Sequence, residues 1–162
     1  MARFTFQGLD QYVMQLNKLK GMSEETAGKA IYAGAAVVAD AIRKNINSLP
    51  VVDFRKKGSS SSLIDGVTSA QKKGLQDGFG ITPMKEENGY FNVKLGFDGY
   101  NTVKSKKYPQ GQPNVMIARA VESGTSFRKK HPFVSPAVKA TRSEAEKRMA
   151  EVLEQEIQKI ME

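Results

Sequence analysis

The sequence contains no cysteine and only one histidine, His131, among its 162 residues. Without cysteine there can be no disulfide framework, no thiolate nucleophile and no zinc site that depends on sulfur ligands. A single histidine also leaves too few imidazoles for a histidine-rich metal cluster. We therefore expect neither a bound metal nor another cofactor.

Long apolar runs are missing as well. The first residues, MARFTFQGLDQYV, lack the apolar segment of about 7 to 15 residues that a signal peptide needs. No stretch approaches the roughly 20 apolar residues of a membrane span. We expect a soluble protein that is made in a reducing cytoplasm and has no membrane partner.

Acidic residues are outnumbered by basic ones, 17 against 25, which leaves a formal net charge of +8. Such an excess attracts polyanions over long distances, so nucleic acid or an acidic protein surface is a reasonable neighbour. Because the length suits one domain with a core, we expect residues 1–162 to form a single domain.

Apolar residues recur at helical spacing in three segments, which predicts helices over residues 9–20, 23–48 and 135–161. The second helix carries a stripe rich in small residues, AIYAGAAVVADAI, that lets another backbone approach closely. A sheet of the same chain or a second subunit could supply that backbone. Ser135 and Pro136 suit the N-cap and the first position of the last helix.

The spacing of apolar residues changes to every second residue between 75 and 99, as in half-buried strands. The pair Asn88-Gly89 is a strong turn signal, so we predict an antiparallel hairpin over residues 77–97. Together with the helices, this predicts an α+β fold in which long amphipathic helices pack on a small antiparallel sheet that contains the hairpin.

Two segments lack periodicity and predict exposed, mobile loops. The serine-rich segment spans residues 51–62, and the segment rich in glycine, proline and lysine spans residues 98–114. Two short apolar stretches, 63–67 and 115–121, are compatible with either a short helix or a strand.

The stretch VESGTSFRKKHPFVSPAV, residues 121–138, is compatible with a catalytic loop, a nucleic-acid clamp or a structural joint. A catalytic role is disfavoured because the Gly-x-Ser-x-Gly pattern of a nucleophile elbow is absent. His131 directly precedes Pro132, which favours an extended loop and a surface or hydrogen-bonded side chain. We therefore expect no enzymatic activity.

Nucleic-acid binding is suggested by cations interleaved with aromatic residues, an arrangement that neutralises phosphates and stacks on bases. No helix-turn-helix, zinc finger or RNA-binding aromatic motif accompanies them. The candidate DNA- or partner-facing basic residues are Arg55, Lys56, Lys57, Lys104, Lys106, Lys107, Arg128, Lys129 and Lys130.

A structural joint accounts for more of the stretch at once. Gly124 permits a backbone turn that other residues resist, and Pro132 and Pro136 stiffen the path into the last helix. Phe133 is an apolar anchor that can hold the joint against the core. This interpretation predicts that the segment fixes the direction of the last helix.

The order AVESGTS, a short basic loop and HPFVSPAV resembles the signature of the head-tail joining, or minor tail component, proteins of long-tailed bacteriophages. In that family a Glu-x-Gly-Thr element precedes a Pro-Phe-x-x-Pro-Ala element that leads into a C-terminal helix. Ser123 stands where the family usually has an aromatic residue, so a neck role and a tail-completion role both stay open. The matching positions are Glu122, Gly124, Thr125, Pro132, Phe133, Pro136 and Ala137.

The resemblance implies a structural virion assembly protein that forms or joins a ring, expected to be hexameric, at the phage head-tail junction. Its partners would be other neck, connector or tail-tube proteins, with non-specific contact with genome DNA as a second expectation. The protein would reside in the virion, after assembly in the host cytoplasm. The alternative is a basic nucleic-acid-binding protein of phage or bacterial origin.

Overall fold

A computed structural model describes residues 24–53 and 63–161 of the chain. The described residues form helices and short antiparallel strands, which confirms the predicted α+β fold. The predicted helix over residues 9–20 and the basic residues Arg55, Lys56 and Lys57 lie outside the described residues. The elements in chain order are α1 (Glu24–Asn47), α2 (Ser69–Gly78), β1 (Phe79–Ile81), β2 (Lys85–Glu87), β3 (Tyr90–Asn92), β4 (Leu95–Phe97), α3 (Asn114–Ser123) and α4 (Val134–Met161).

The long helix predicted over residues 23–48 is confirmed as α1. Glu24 and Glu25 lie in its first turn and Lys44 in its last, where each charge interacts favourably with the helix dipole. Its small-residue face packs against α4 of the same chain, so a helix occupies the position for which the sequence suggested a sheet or a second subunit. The buried residues of α1 include Ala27, Ala30, Ile31, Gly34, Ala35, Val38, Ala39, Ile42 and Ile46.

Helices α1 and α4 run antiparallel. Near the end of α1, Asn45 Nδ2 donates a hydrogen bond to the carbonyl oxygen of Phe133 at 2.9 Å. Near its beginning, Lys29 Nζ lies 2.8 Å from a carboxylate oxygen of Glu156. Between these two ends, a Cβ on Gly34 would overlap the Met149 side chain. The absence of a side chain at this glycine therefore sets how closely the two helices approach.

Helix α2 was not predicted, although its start carries a recognisable signal. The Thr68 hydroxyl accepts a hydrogen bond from the Gln71 N–H at 3.1 Å, and the Gln71 side chain accepts one from the Thr68 N–H at 3.2 Å. This reciprocal pair is a capping box. Because α2 extends to Gly78, the hairpin begins at Phe79, two residues later than predicted.

The predicted hairpin consists of two separate strand pairs. Strand β1 pairs with β4, with Phe79 opposite Phe97, and β2 pairs with β3 across the turn at Asn88-Gly89. Asn88 and Gly89 both have positive φ, 55° and 79°, as a tight hairpin turn requires. The strands are interrupted near Pro83, which cannot donate a ladder hydrogen bond.

One main core joins the helices and the base of the hairpin. The Phe79 and Phe97 rings lie 5.2 Å apart between centroids, and the Phe97 and Phe133 rings lie 5.8 Å apart edge to face. These contacts join β1 and β4 to the start of α4. Among the described residues, the largest fully buried side chains are Phe133, Ile42, Ile46, Leu75, Leu95, Met149, Leu153, Val38, Val67 and Val121.

The two apolar stretches that the sequence left open take different structures. Residues 115–121 lie in α3, whereas residues 63–67 form isolated bridges instead of a helix or a full strand. The loop between β4 and α3 is closed on itself, since the Asn101 N–H donates to the Gln112 carbonyl at 2.9 Å. Among the residues placed by the structure, no helix has both the length and the apolar content needed to span a bilayer.

Candidate functional site

Residues 121–135, here called the elbow, comprise the end of α3, the connection to α4 and the first two residues of α4. The Glu122 carboxylate closes this connection by accepting three backbone hydrogen bonds at the start of α4. Its Oε2 accepts from the N–H groups of Phe133 (2.8 Å) and Val134 (2.9 Å), and its Oε1 accepts from that of Ser135 (2.9 Å). These donors have no partner within the helix, and a negative charge there is favoured by the helix dipole.

This arrangement corrects the predicted cap of the last helix. Ser135 was expected at the N-cap and Pro136 at the first helical position, but α4 begins at Val134. Pro136 is thus the third helical residue, where its missing N–H still removes no intrahelical bond. The capping oxygen comes from Glu122, a residue distant in sequence, so a local pattern could not identify it.

Gly124 turns the chain at the end of α3. Its φ of 74° lies in the left-handed region that favours glycine. The turn is also crowded, because a Cβ at this position would lie 3.1 Å from the Lys130 N atom and 3.2 Å from the Arg128 carbonyl oxygen. The following residues close a tight turn in which the Thr125 N–H donates to the Arg128 carbonyl at 2.9 Å.

The remaining residues that carry the resemblance alternate between solvent and core. Phe133 is 1% exposed and Ala137 is buried, whereas Thr125, Pro132 and Pro136 are exposed. The two buried residues anchor the beginning of α4 in the core. The exposed prolines restrict the backbone without contributing to that core.

Arg128 was predicted to face DNA or a partner, and the structure corrects this. The residue is only 4% exposed, and its guanidinium donates to the Gly66 carbonyl oxygen and, at 3.3 Å, to Gln71 Oε1. Burial lowers the pKa of Arg128 because the protein interior solvates the charged form less well than water does. A guanidinium carries several N–H donors in a fixed planar arrangement, which suits Arg128 to bind the Gly66 carbonyl and the Gln71 side chain at once.

Asp65 binds two side chains of the elbow, those of Lys129 and His131. Its carboxylate accepts hydrogen bonds from Lys129 Nζ at 2.8 Å and from His131 Nε2 at 2.6 Å. The hydrogen bond from Lys129 is the main cause, and that from His131 the second, that holds the pKa of Asp65 below its usual range. The prediction that His131 is hydrogen-bonded in a loop is confirmed. Within the described ranges, no cluster of three or more His, Asp or Glu side chains is arranged to hold a metal ion.

The other predicted cations that the structure describes are exposed. Lys130 protrudes from the elbow, and Lys104, Lys106 and Lys107 lie on the loop between β4 and α3. Lys107 Nζ lies 5.5 Å from the centroid of the Tyr108 ring. No hydrogen bond or ion pair between described residues joins these three loop lysines to the elbow.

Gln71 connects the elbow to that loop and was missed by the sequence analysis. Its Oε1 accepts from Arg128, and its Nε2 donates to Gln112 Oε1 at 2.8 Å. The capping-box spacing from Thr68 to Gln71 is the signal that could have revealed it. Asp65, which lies directly before Gly66, carried no comparable signal.

An open groove of about 450 Å³ lies beside the elbow. Helix α3, strand β4 and the first turns of α4 form its sides, and the Ile42 and Phe79 side chains contribute to its apolar floor. Arg119 on α3 and Lys139 on α4 stand at the rim. Its lining also includes Leu95, Gly96, Phe97, Val115, Ala118, Glu122, Ser123, Val134, Ser135 and Val138.

The site thus combines a fixed joint with an apolar groove. Glu122 caps α4, Arg128 holds the Gly66 backbone, and Asp65 binds the Lys129 and His131 side chains. The groove offers apolar surface with two cations. Comparison of the chain with protein-family models, with curated proteins and with solved structures gives no match.

Proposed function

We propose that the chain is a structural subunit of the head-tail junction of a long-tailed bacteriophage, in a neck or tail-completion role. It would form or join a ring, expected to be hexameric, that contacts connector or tail-tube proteins. The family resemblance motivates the proposal. The geometry of the elbow, the segment that carries the resemblance, supports it.

The observation that carries the proposal is the Glu122 cap on α4. The glutamate of the Glu-x-Gly-Thr element binds the backbone of the residues in and next to the Pro-Phe element, at 2.8 to 2.9 Å. Two sequence elements that define the resemblance therefore meet in one joint. A subunit that must present α3 and α4 at a fixed angle to neighbouring proteins needs such a joint.

A structural role also fits the chemistry of the elbow. The Glu122 carboxylate is occupied by three backbone donors, and Asp65 and His131 are bound to each other. Arg128 supports Gly66 from a buried position. These interactions fix backbone geometry, which is what an assembly subunit requires when it docks as a rigid body.

The test is electron microscopy of the purified chain, alone and mixed with the connector and tail-tube proteins of the same phage. We expect rings, or added density at the end of the tail tube or connector. Glu122→Ala should reduce incorporation because the beginning of α4 loses its cap and its local order, and Glu144→Ala, at an exposed site on α4, should not. Failure of the chain to bind either the connector or the tail tube would contradict the proposal.

Nucleic-acid binding is the second candidate, supported by the net charge of +8. Its affinity for free DNA would fall log-linearly with salt concentration, whereas a ring subunit should show little affinity at physiological salt. Because Arg128 is buried, the charge reversal that tests a DNA-facing elbow should be limited to Lys129→Glu and Lys130→Glu. Normal assembly and DNA delivery by this double variant would exclude such a role for the two lysines.

A further inference from the structure

The groove beside the elbow has an apolar interior. Ile42, Phe79 and Leu95 form its deep part, and Val115 and Val138 flank it from opposite helices. Apolar surface of this kind gains free energy when another apolar group displaces water from it. With a volume of about 450 Å³, the groove is large enough for one or two bulky side chains of a protein segment.

The charge at the rim is positive. Arg119 and Lys139 are exposed, and neither forms an ion pair with a described residue. Glu122 also lies in the lining, but its two carboxylate oxygens are directed at the backbone N–H groups of α4. The groove therefore offers two available cations beside apolar surface, and its carboxylate is already engaged.

We propose that this groove docks an apolar protein segment that carries at least one carboxylate, supplied by a neighbouring protein of a different kind. Apolar side chains would enter between α3 and α4, and the carboxylate would pair with Arg119 or Lys139. A partner with net negative charge complements the cationic rim better than a second copy, which carries a net charge of +8, so contacts between copies in a ring are expected to form away from this rim. This inference rests on the proposed function, since it specifies the chemistry of a junction partner.

The experiment uses two probes that share an aromatic frame, 8-anilinonaphthalene-1-sulfonate and its uncharged analogue N-phenyl-1-naphthylamine. Fluorescence titration of the full chain should show tighter binding of the anionic probe. Replacing both rim cations, Arg119→Gln with Lys139→Gln, should weaken anionic probe binding roughly twofold to thirtyfold, as expected for two lost exposed charge pairs. Binding of the uncharged probe should stay the same.

Matched variants separate the groove from general effects. Lys104→Gln with Lys106→Gln removes the same charge from the loop between β4 and α3, and should leave both affinities unchanged. Val138→Trp fills the groove and should abolish binding of both probes. Val115→Trp, from the opposite side, serves the same purpose where Val138→Trp lowers the unfolding temperature.

Three outcomes would overturn the inference. Equal binding of the two probes, unaffected by the rim substitutions, would show that the groove accepts apolar groups without selecting an anion. Binding that survives both tryptophan variants would place the probes elsewhere. A dimeric wild-type chain that becomes monomeric on Val138→Trp, measured by light scattering, would identify a second copy as the occupant. None of these outcomes prevents the chain from joining a phage junction, so the proposed function is tested separately.

Discussion

The α1–α4 helix pair and the elbow both fix the position of α4, but by different interactions. Along the helix pair, small residues and apolar side chains pack closely, as where Gly34 faces Met149. At the elbow, a carboxylate and a guanidinium hold backbone atoms through hydrogen bonds. Apolar packing tolerates replacements of equal volume, whereas a hydrogen-bonded joint requires a particular donor or acceptor.

This difference predicts separate consequences for mutations in the two regions. Loss of packing between the helices should lower global stability, because their contact contributes to the main core. Loss of a bond at the elbow should cost less overall and should change the local order at the beginning of α4.

The largest effect is expected from Met149→Ala. Met149 is fully buried against α1, so truncation leaves a cavity and should lower the free energy of unfolding by about 2–5 kcal/mol. Urea denaturation measures this change. Gln158→Ala, at an exposed position of the same helix, should change stability by no more than about 0.5 kcal/mol.

A double-mutant cycle sharpens this result. Gly34→Ala alone should destabilise the protein, since its new methyl group would overlap Met149 and would lie 3.1 Å from the Ala145 carbonyl oxygen. Combined with Met149→Ala, the same methyl group enters the cavity, and the higher helix propensity of alanine, about 0.8–1 kcal/mol over glycine, can then contribute. Simple additivity of the two substitutions would contradict close packing at this point.

Arg128→Gln should have the second largest effect. Shortening the side chain withdraws the donors from Gly66 and Gln71 and should cost about 1.5–3 kcal/mol, the range for hydrogen bonds of a charged group. Lys130→Gln removes the same charge two positions later, from an exposed site, and should change stability by less than about 0.5 kcal/mol. Equal effects in urea denaturation would mean that Arg128 does not support the elbow.

Glu122→Gln should have a smaller global effect with a clear local signature. The substitution keeps the size of the side chain but removes its charge and one acceptor oxygen, at a cost of about 0.5–2 kcal/mol for a lost helix cap. Amide hydrogen exchange should become faster at residues 133–135, whose N–H groups the carboxylate binds. Ser123→Ala is the control, and unchanged exchange in Glu122→Gln would contradict the cap.

The same comparison explains which parts of the structure could be predicted from the sequence. The helix pair follows from the periodicity of apolar residues, which is a local property, so α1 was predicted to within one residue at each end. Helix α2 was missed because Gly74 and Gly78 lower its helix propensity and its apolar face is short. Its capping box was the better signal.

The turn at Gly124 and the apolar anchor Phe133 were predicted from the sequence. The roles of Glu122 and Arg128 were not, because they depend on contacts with residues distant in sequence. A run of three cations predicts an exposed loop, and Lys129 and Lys130 are indeed exposed, whereas Arg128 points inward to Gly66. Nothing in the local pattern distinguishes these neighbours. The groove was missed for the same reason, since its walls come from segments that are separated along the chain.

The smallest effect is expected from Asp65→Asn, which tests the ion pairs at the edge of the elbow. Because the bonds from Lys129 and His131 lower the pKa of Asp65 in the folded protein, the carboxylate stabilises the fold above its unfolded pKa of about 3.9. This contribution is lost as the pH falls through the lower folded pKa. Wild type should therefore be slightly more stable than Asp65→Asn near neutral pH, and the difference should close below about pH 4. Thermal unfolding between pH 2.5 and 7 measures this difference, with Glu144→Gln as the exposed control. A difference that does not shrink as the pH falls from 4 to 2.5 would assign the effect to something other than this ionisation.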